Sequence, residues 1–211
     1  MYSKERDGGN RIIVDNGTLA YYSNNAQSFA DGTATVDLGE LQDRFIRLLP
    51  VGGLILDFGC GSGRDTKYFL EKGFRVDATD GSERLCEIAS RFTGITVRQM
   101  LFSDLDEHEK YDGIWACASI LHLPKDELKS TIGKMTRAVK SRGYIYTSFK
   151  YGGFEGYRNE RYFTDFTEKT FRAFIGDVAG IEIVEEWLSG DARPGRGAEQ
   201  WLNIIIKKTV G

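Results

Sequence analysis

Ile55-Leu56-Asp57-Phe58-Gly59-Cys60-Gly61-Ser62-Gly63 is an apolar run that breaks into three alternating glycines. A strand covered on both faces of a parallel sheet reads as such a run, so Leu54 to Phe58 is predicted to be a buried strand. The glycines interrupt it, and Asp65 to Lys72 follows as a helix ended by Gly73. Glycine permits positive φ and close approach of the backbone to a ligand, while the first turn of a helix leaves N–H groups free to bind one. A nucleoside cofactor suits this turn. The nicotinamide fingerprint GxGxxG is not met, because Arg64 stands where its last small residue would pack helix against strand. A turn with a purely structural role is the competing reading.

Moving outward, Phe74 to Thr79 is a second strand, and Asp80 follows it directly. An acid there reaches across the glycine turn and can accept hydrogen bonds from both hydroxyls of a ribose. It could instead cap the helix Glu83 to Phe92, but Ser82 can serve as that cap. Asp77 is read as an edge or surface residue. Ile95 to Met100 and Gly113 to Ala118 are predicted as third and fourth strands. The helix Lys125 to Lys140 places Leu128, Ile132, Met135 and Val139 on one face, and a turn at Ser141-Arg142-Gly143 leads to the strand Tyr144 to Phe149. A helix over Leu38 to Leu49 precedes all of these. After a helix from Thr167 to Val178, the runs Ile181 to Leu188 and Trp201 to Lys207 have no helix between them, so they should pair as an antiparallel hairpin at the sheet edge. The alternation predicts an α/β fold on a mostly parallel sheet.

Composition narrows the function classes. A chain of 211 residues with 41% hydrophobic and 28% charged residues can bury one ordinary core. No apolar run approaches the roughly 20 residues needed to span a bilayer. The opening MYSKERDGGNRIIVDNG lacks the apolar stretch of a signal peptide, so a cytoplasmic address is expected. Cys60, Cys86 and Cys117 show no CxxC spacing, which argues against a disulfide framework or a metal site. A net charge of −3 offers no global attraction to phosphate backbones and counts against nucleic acid as a partner.

From about Leu54 to Phe149 the sequence resembles the class I S-adenosylmethionine-dependent methyltransferases. The resemblance rests on DFGCGSG, on Asp80, on Ile120-Leu121-His122-Leu123-Pro124, similar to the family's LHHLP region, and on Ser141-Arg142-Gly143 where many members have Pro-Gly-Gly. YYSNNAQSFADGT and the MLF after the third strand resemble the tellurite-resistance (TehB)-like group. The resemblance implies a Rossmann-like, seven-stranded sheet in the order 3-2-1-4-5-7-6 with strand 7 antiparallel. It implies one domain over residues 1–211, with 1–50 as a helical cap and 51–211 as the α/β core. The implied cofactor is S-adenosyl-L-methionine, released as S-adenosyl-L-homocysteine. Gly59, Cys60, Gly61 and Gly63 would flank its methionine and ribose parts, Asp57 would hold the turn or the amino group, and Asp80 with Gly81 and Ser82 would bind ribose. Many members place an acid after the third strand to bind adenine; here Met100-Leu101-Phe102 stands there, leaving apolar contact, with Ser103 or Asp104 as polar partners. Ala116 and Cys117 would lie beside the methionine arm. An N-terminal helix folding over the cofactor would offer Tyr22 and Asn25, and less directly Thr33, although Tyr21, Tyr22 and Phe29 could equally pack on the sheet.

For the acceptor, His122 follows the fourth strand at the ligand edge and could act as a base, or could merely pack under the helix after Pro124. His108 lies in a charged stretch and is read as solvated. The loop Lys150 to Phe163 carries Lys150, Arg158 and Arg161, and the turn Asp191 to Arg196 carries Arg193 and Arg196. Together these five cations suggest an anion-selective acceptor site; a solvated loop and turn are the alternative. The expected reaction is methyl transfer to a small polar or anionic molecule. Methylation of RNA or a protein side chain, a catalytically silent S-adenosylmethionine-binding module and a nicotinamide oxidoreductase are the rivals. No metal or membrane is implied, and the sequence leaves the oligomeric state open.

Overall fold

The computed structural model describes residues 16–193 and 195–209. The reading of the first fifteen residues as lacking an export signal therefore lies outside the described residues, as does Pro194.

Among the described residues, nine strands and seven α-helices follow one another. The helices α1 (Asn16–Asn24), α2 (Ala26–Thr33) and α3 (Gly39–Ile46) precede β1 (Leu54–Phe58). Then come α4 (Arg64–Glu71), β2 (Arg75–Asp80), α5 (Glu83–Thr93), β3 (Arg98–Gln99), β4 (Tyr111–Ala116), α6 (Lys125–Ala138) and β5 (Val139–Lys150). A hairpin of β6 (Glu155–Arg158) and β7 (Arg161–Thr164) is followed by α7 (Glu168–Ile175), β8 (Ile181–Gly190) and β9 (Gln200–Lys208). The main sheet runs β3-β2-β1-β4-β5-β9-β8, and β9 is antiparallel to both of its neighbours. With the separate β6–β7 hairpin set aside, this is the order 3-2-1-4-5-7-6 with an antiparallel seventh strand.

Two apolar layers sandwich the sheet. One gathers Leu128, Ile132 and Met135 of α6 with Phe171 of α7 over β1, β4, β5 and β9. The other packs Phe45 of α3 and Phe69 of α4 on Trp115 and Tyr146, which sit opposite each other on β4 and β5 and stack at 3.8 Å. An aromatic pair of this kind contributes about 0.5–1.5 kcal/mol beyond its burial. Among the described residues no helix is long and apolar enough to cross a membrane.

Three expectations change. The third strand shrinks to Arg98–Gln99, because Ile95 and Val97 pack beside α5 in a small cluster rather than extending the edge. Ser141-Arg142-Gly143 is not a turn between helix and strand: β5 begins at Val139, and Arg142 takes a φ of 64° within it where the pairing with β4 shifts register. The segment Lys150 to Phe163 is not an open loop: Lys150 ends β5, and from Glu155 the chain folds into the β6–β7 hairpin, with Tyr157 opposite Tyr162.

Candidate functional site

The carboxyl ends of β1, β2, β4 and β5 open into one cavity of about 610 Å³. Its floor is the turn after β1. The N–H groups of Gly59 and Cys60 both donate to the Thr79 carbonyl at 2.9 Å, tying the turn to β2. Asp80, the last residue of β2, accepts from the Gly61 N–H through Oδ2 and from the Ser82 N–H through Oδ1, each at 2.9 Å. Burial pushes its carboxyl upward against these N–H donors. A carboxylate has about four acceptor positions, so Asp80 retains capacity toward the cavity it lines. Gly61, at a φ of 56°, is covered by the Phe29 ring, which would lie 3.0 Å from an added Cβ.

Several expected contacts stand behind this wall. Gly63, with a φ of 82°, lets α4 pass α5: a Cβ there would meet the Thr93 methyl at 2.7 Å. Ser82 is buried and accepts from the Leu85 N–H as the cap of α5. Ala116 is buried within β4. Asp57 accepts from the Thr66 hydroxyl at 2.6 Å, and burial together with the neighbouring Asp65 carboxylate raises its pKa to about 8. Burial presses Asp65 in the same direction, but hydrogen bonds and charge from Arg64, with donors from Trp115 and Gln42, overcome it and hold Asp65 below the usual range.

The N-terminal helices form the roof, with Leu19, Tyr22, Phe29 and Thr33 facing the cavity. Asn25 does not: it is exposed and its amide donates to the Tyr21 carbonyl at 2.8 Å, at the break between α1 and α2. Met100, Leu101 and Phe102 line one end with Ser103 and Asp104, and Phe102 meets Phe58 edge to face. Cys117 lines the middle, and burial pushes its thiol up to about 12.

At the other end lie Lys150, Arg161, Arg193 and Arg196. Lys150 pairs with Glu199, Arg193 binds Asp191 through two nitrogens, and Arg196 binds Glu199 at 2.6 Å. Burial would raise Asp191, but the Arg193 bonds bring it down to about 2. Arg161 lies over Tyr21 at 4.4 Å, and its buried Nε has no hydrogen-bond partner among the described residues. Arg158 is outside the cavity, paired with Asp165 and stacked on Phe154, in a second cleft that Lys150, Arg161 and Arg196 also line. His122 lines the cavity, with Nε2 2.8 Å from the Tyr22 hydroxyl and Nδ1 2.6 Å from the Tyr162 carbonyl oxygen.

Sequence reasoning missed Ser119, whose hydroxyl donates to the Phe58 carbonyl at 2.7 Å and whose Cβ would lie 2.6 Å from a Cβ added at Gly59. It also missed the polar wall in which the Tyr146 hydroxyl donates to Asn203, and Asn203 to Ser189. These residues come from β5, β9 and β8, so only the strand register brings them together.

Residues 55–143 match a family model described as a methyltransferase domain. YqeM of Bacillus subtilis (strain 168), a protein whose name gives methyltransferase as an inferred activity, is 31% identical over 114 residues, covering 48% of this chain and 46% of the relative. The match thus spans less than half the length of that curated relative. Among solved structures, the 1,6-didemethyltoxoflavin-N1-methyltransferase of Burkholderia thailandensis, with S-adenosylhomocysteine and 1,6-didemethyltoxoflavin bound, superposes with a TM-score of 0.72 at 22% identity, over 90% of this chain and 85% of that one. A TehB-like S-adenosylmethionine-dependent methyltransferase of Corynebacterium glutamicum superposes with a TM-score of 0.66 at 22% identity, over 90% of this chain and 99% of that one. The shared architecture is the Rossmann-like methyltransferase fold.

Proposed function

We propose that this chain is a methyltransferase that binds S-adenosyl-L-methionine, passes the methyl group to a small polar or anionic acceptor and releases S-adenosyl-L-homocysteine. The observation that carries the reading is the tether between the glycine turn and Asp80 in a cavity whose far end is cationic. The donor set fits the cofactor: Gly59 and Gly61 let the turn lie close under Ser119 and the Phe29 ring without a side chain between, and Asp80 keeps acceptor positions for a ribose. The cofactor, when bound, supplies a sulfonium methyl already activated for transfer. The protein's part is alignment and exclusion of water. Asp80 and Gly81 hold the ribose, Gly59, Cys60 and Gly61 the methionine part beside Cys117, and Met100, Leu101 and Phe102 the adenine. Tyr22 and Phe29 cover the site. Asp57, Gly63, Ser82, Ala116 and Asn25 act at one remove, by shaping the turn and the roof. In this reading the described residues form a single methyltransferase domain, with those up to residue 50 as its cap.

A small acceptor is supported by the size of the cavity, about 610 Å³, and by the B. thailandensis neighbour, which holds 1,6-didemethyltoxoflavin. An anionic acceptor is supported by Arg161, whose buried Nε an anion would satisfy, with Arg193 and Arg196 beside it. Placement in the TehB-like group draws on the C. glutamicum neighbour and the N-terminal segment. Calorimetric titration with S-adenosylmethionine, S-adenosylhomocysteine and a nicotinamide nucleotide tests the cofactor: the first two should bind and the third should not. Binding of the nicotinamide nucleotide alone would refute the reading.

A further inference from the structure

Tyr22, His122 and the backbone of Tyr162 form a line of hydrogen bonds at the cationic end of the cavity. His122 Nδ1 lies 2.6 Å from the Tyr162 carbonyl oxygen, and a carbonyl only accepts, so Nδ1 carries a hydrogen. In the neutral ring Nε2 is then an acceptor. At 2.8 Å it takes the proton of the Tyr22 hydroxyl. Phe163 and Tyr22 hold the imidazole edge to face, at 4.8 and 5.4 Å. The Tyr22 oxygen therefore turns lone pairs, not its proton, to its other neighbours. One of these is Arg161, whose guanidinium stands 5.8 Å from the Tyr22 ring and opposes the upward push that burial gives the phenol.

We propose that Tyr22 and His122 form a proton relay for an acceptor that loses an N–H or O–H proton as it is methylated, with Tyr22 the catalytic residue and His122 the positioning residue behind it. This inference rests on the methyl-transfer reading. The acceptor's lone pair forms the new bond to the methyl carbon, and the carbon–sulfur bond breaks with its electron pair left on sulfur. The acceptor's proton passes to the Tyr22 oxygen as the Tyr22 proton passes to His122 Nε2. The positive charge thus moves from the sulfonium to the imidazolium, whose two N–H groups are bonded to the Tyr162 carbonyl and the Tyr22 oxygen. The charged and titratable groups facing the pair are Arg161 on β7, Arg193 in the β8–β9 turn, Asp80 on β2 and Tyr21 on α1.

The chain has two histidines, so 15N-histidine labelling of the S-adenosylhomocysteine complex gives two imidazoles to follow through a pH titration. His122 should show the Nδ1–H tautomer, with an Nε2 resonance that moves in Tyr22→Phe. Turnover is read with methyl-labelled S-adenosylmethionine and the small-molecule fraction of a cell extract. In Tyr22→Phe and His122→Gln, kcat should fall about a hundredfold, while KM for the methyl donor changes by less than about threefold. The acid limb of the wild-type profile should coincide with the His122 titration and vanish in His122→Gln. An Nε2–H tautomer, or wild-type kcat with an unshifted profile in Tyr22→Phe, overturns the relay and leaves methyl transfer standing. A wild-type protein that binds S-adenosylhomocysteine but methylates nothing overturns both.

Discussion

Asp80 fixes the glycine turn and the start of α5 with the same carboxylate that is proposed to hold a ribose. Asp80→Ala should weaken S-adenosylhomocysteine binding by about 1.5–3 kcal/mol, the scale of hydrogen bonds to a charged group, as read by calorimetry on the folded variant. Unchanged affinity would remove Asp80 from the site. Asp57 makes a different prediction. Its pKa, raised to about 8 by burial and by Asp65, lies above the unfolded value near 4. The folded state therefore binds the proton more tightly, and the stability this contributes is present below about pH 4 and lost as the pH rises through about 8. Asp57→Asn keeps the uncharged form, so its melting temperature relative to wild type should rise between pH 5 and pH 9. A difference that is flat or falls with pH would show that Asp57 ionises freely. Asp57 and Asp80 both stand out in the sequence as acids at strand ends, but their burial, which sets their chemistry, does not.

The β1 turn was readable because its three glycines serve backbone needs that few other residues meet. Gly63 belongs to packing rather than to the ligand: Gly63→Ala, with a φ of 82° and a Cβ 2.7 Å from Thr93, should destabilise the fold by about 1–3 kcal/mol in denaturant titration. A stability within 0.5 kcal/mol of wild type, the range of a neutral surface change, would show that α4 and α5 can separate without cost. The β6–β7 hairpin was not readable for a local reason. Its two-residue turn is Asn159-Glu160, both with positive φ, whereas the sequence signal for that turn is Asn-Gly. Without the hairpin, Arg158 and Arg161 look alike in sequence. In the hairpin they stand directly opposite each other, and their side chains then part, Arg158 to Asp165 and Arg161 to the cavity. The β8–β9 turn was legible as cationic, but its pairing with Asp191 and Glu199 was not. Arg193→Gln combined with Arg196→Gln should leave S-adenosylhomocysteine affinity intact and lower acceptor turnover at least about tenfold, since the planar guanidinium suits oxyanions. Turnover at the wild-type level in the double variant would take this turn out of the acceptor site.

Across the molecule, the cavity draws its walls from segments spread between Thr18 and Asn203. The sheet order is what the family resemblance implies; the alternation of elements by itself implies only a mostly parallel sheet with an antiparallel hairpin at its edge. The end proposed to hold the acceptor could not be anticipated, because it is assembled by the antiparallel register of β5, β9 and β8, where Ser148 faces Asn203 and Asn203 faces Trp187. The same geometry places the proposed relay, the orphaned Arg161 nitrogen and the Asp80 tether around one volume of about 610 Å³. The most direct measurement is mass spectrometry of the purified protein incubated with methyl-labelled S-adenosylmethionine and total cell extract, following both S-adenosylhomocysteine and the label. The account predicts S-adenosylhomocysteine formation that depends on the extract, with the label in a small polar or anionic molecule. Label confined to RNA or protein, or no S-adenosylhomocysteine formed despite bound cofactor, would contradict it.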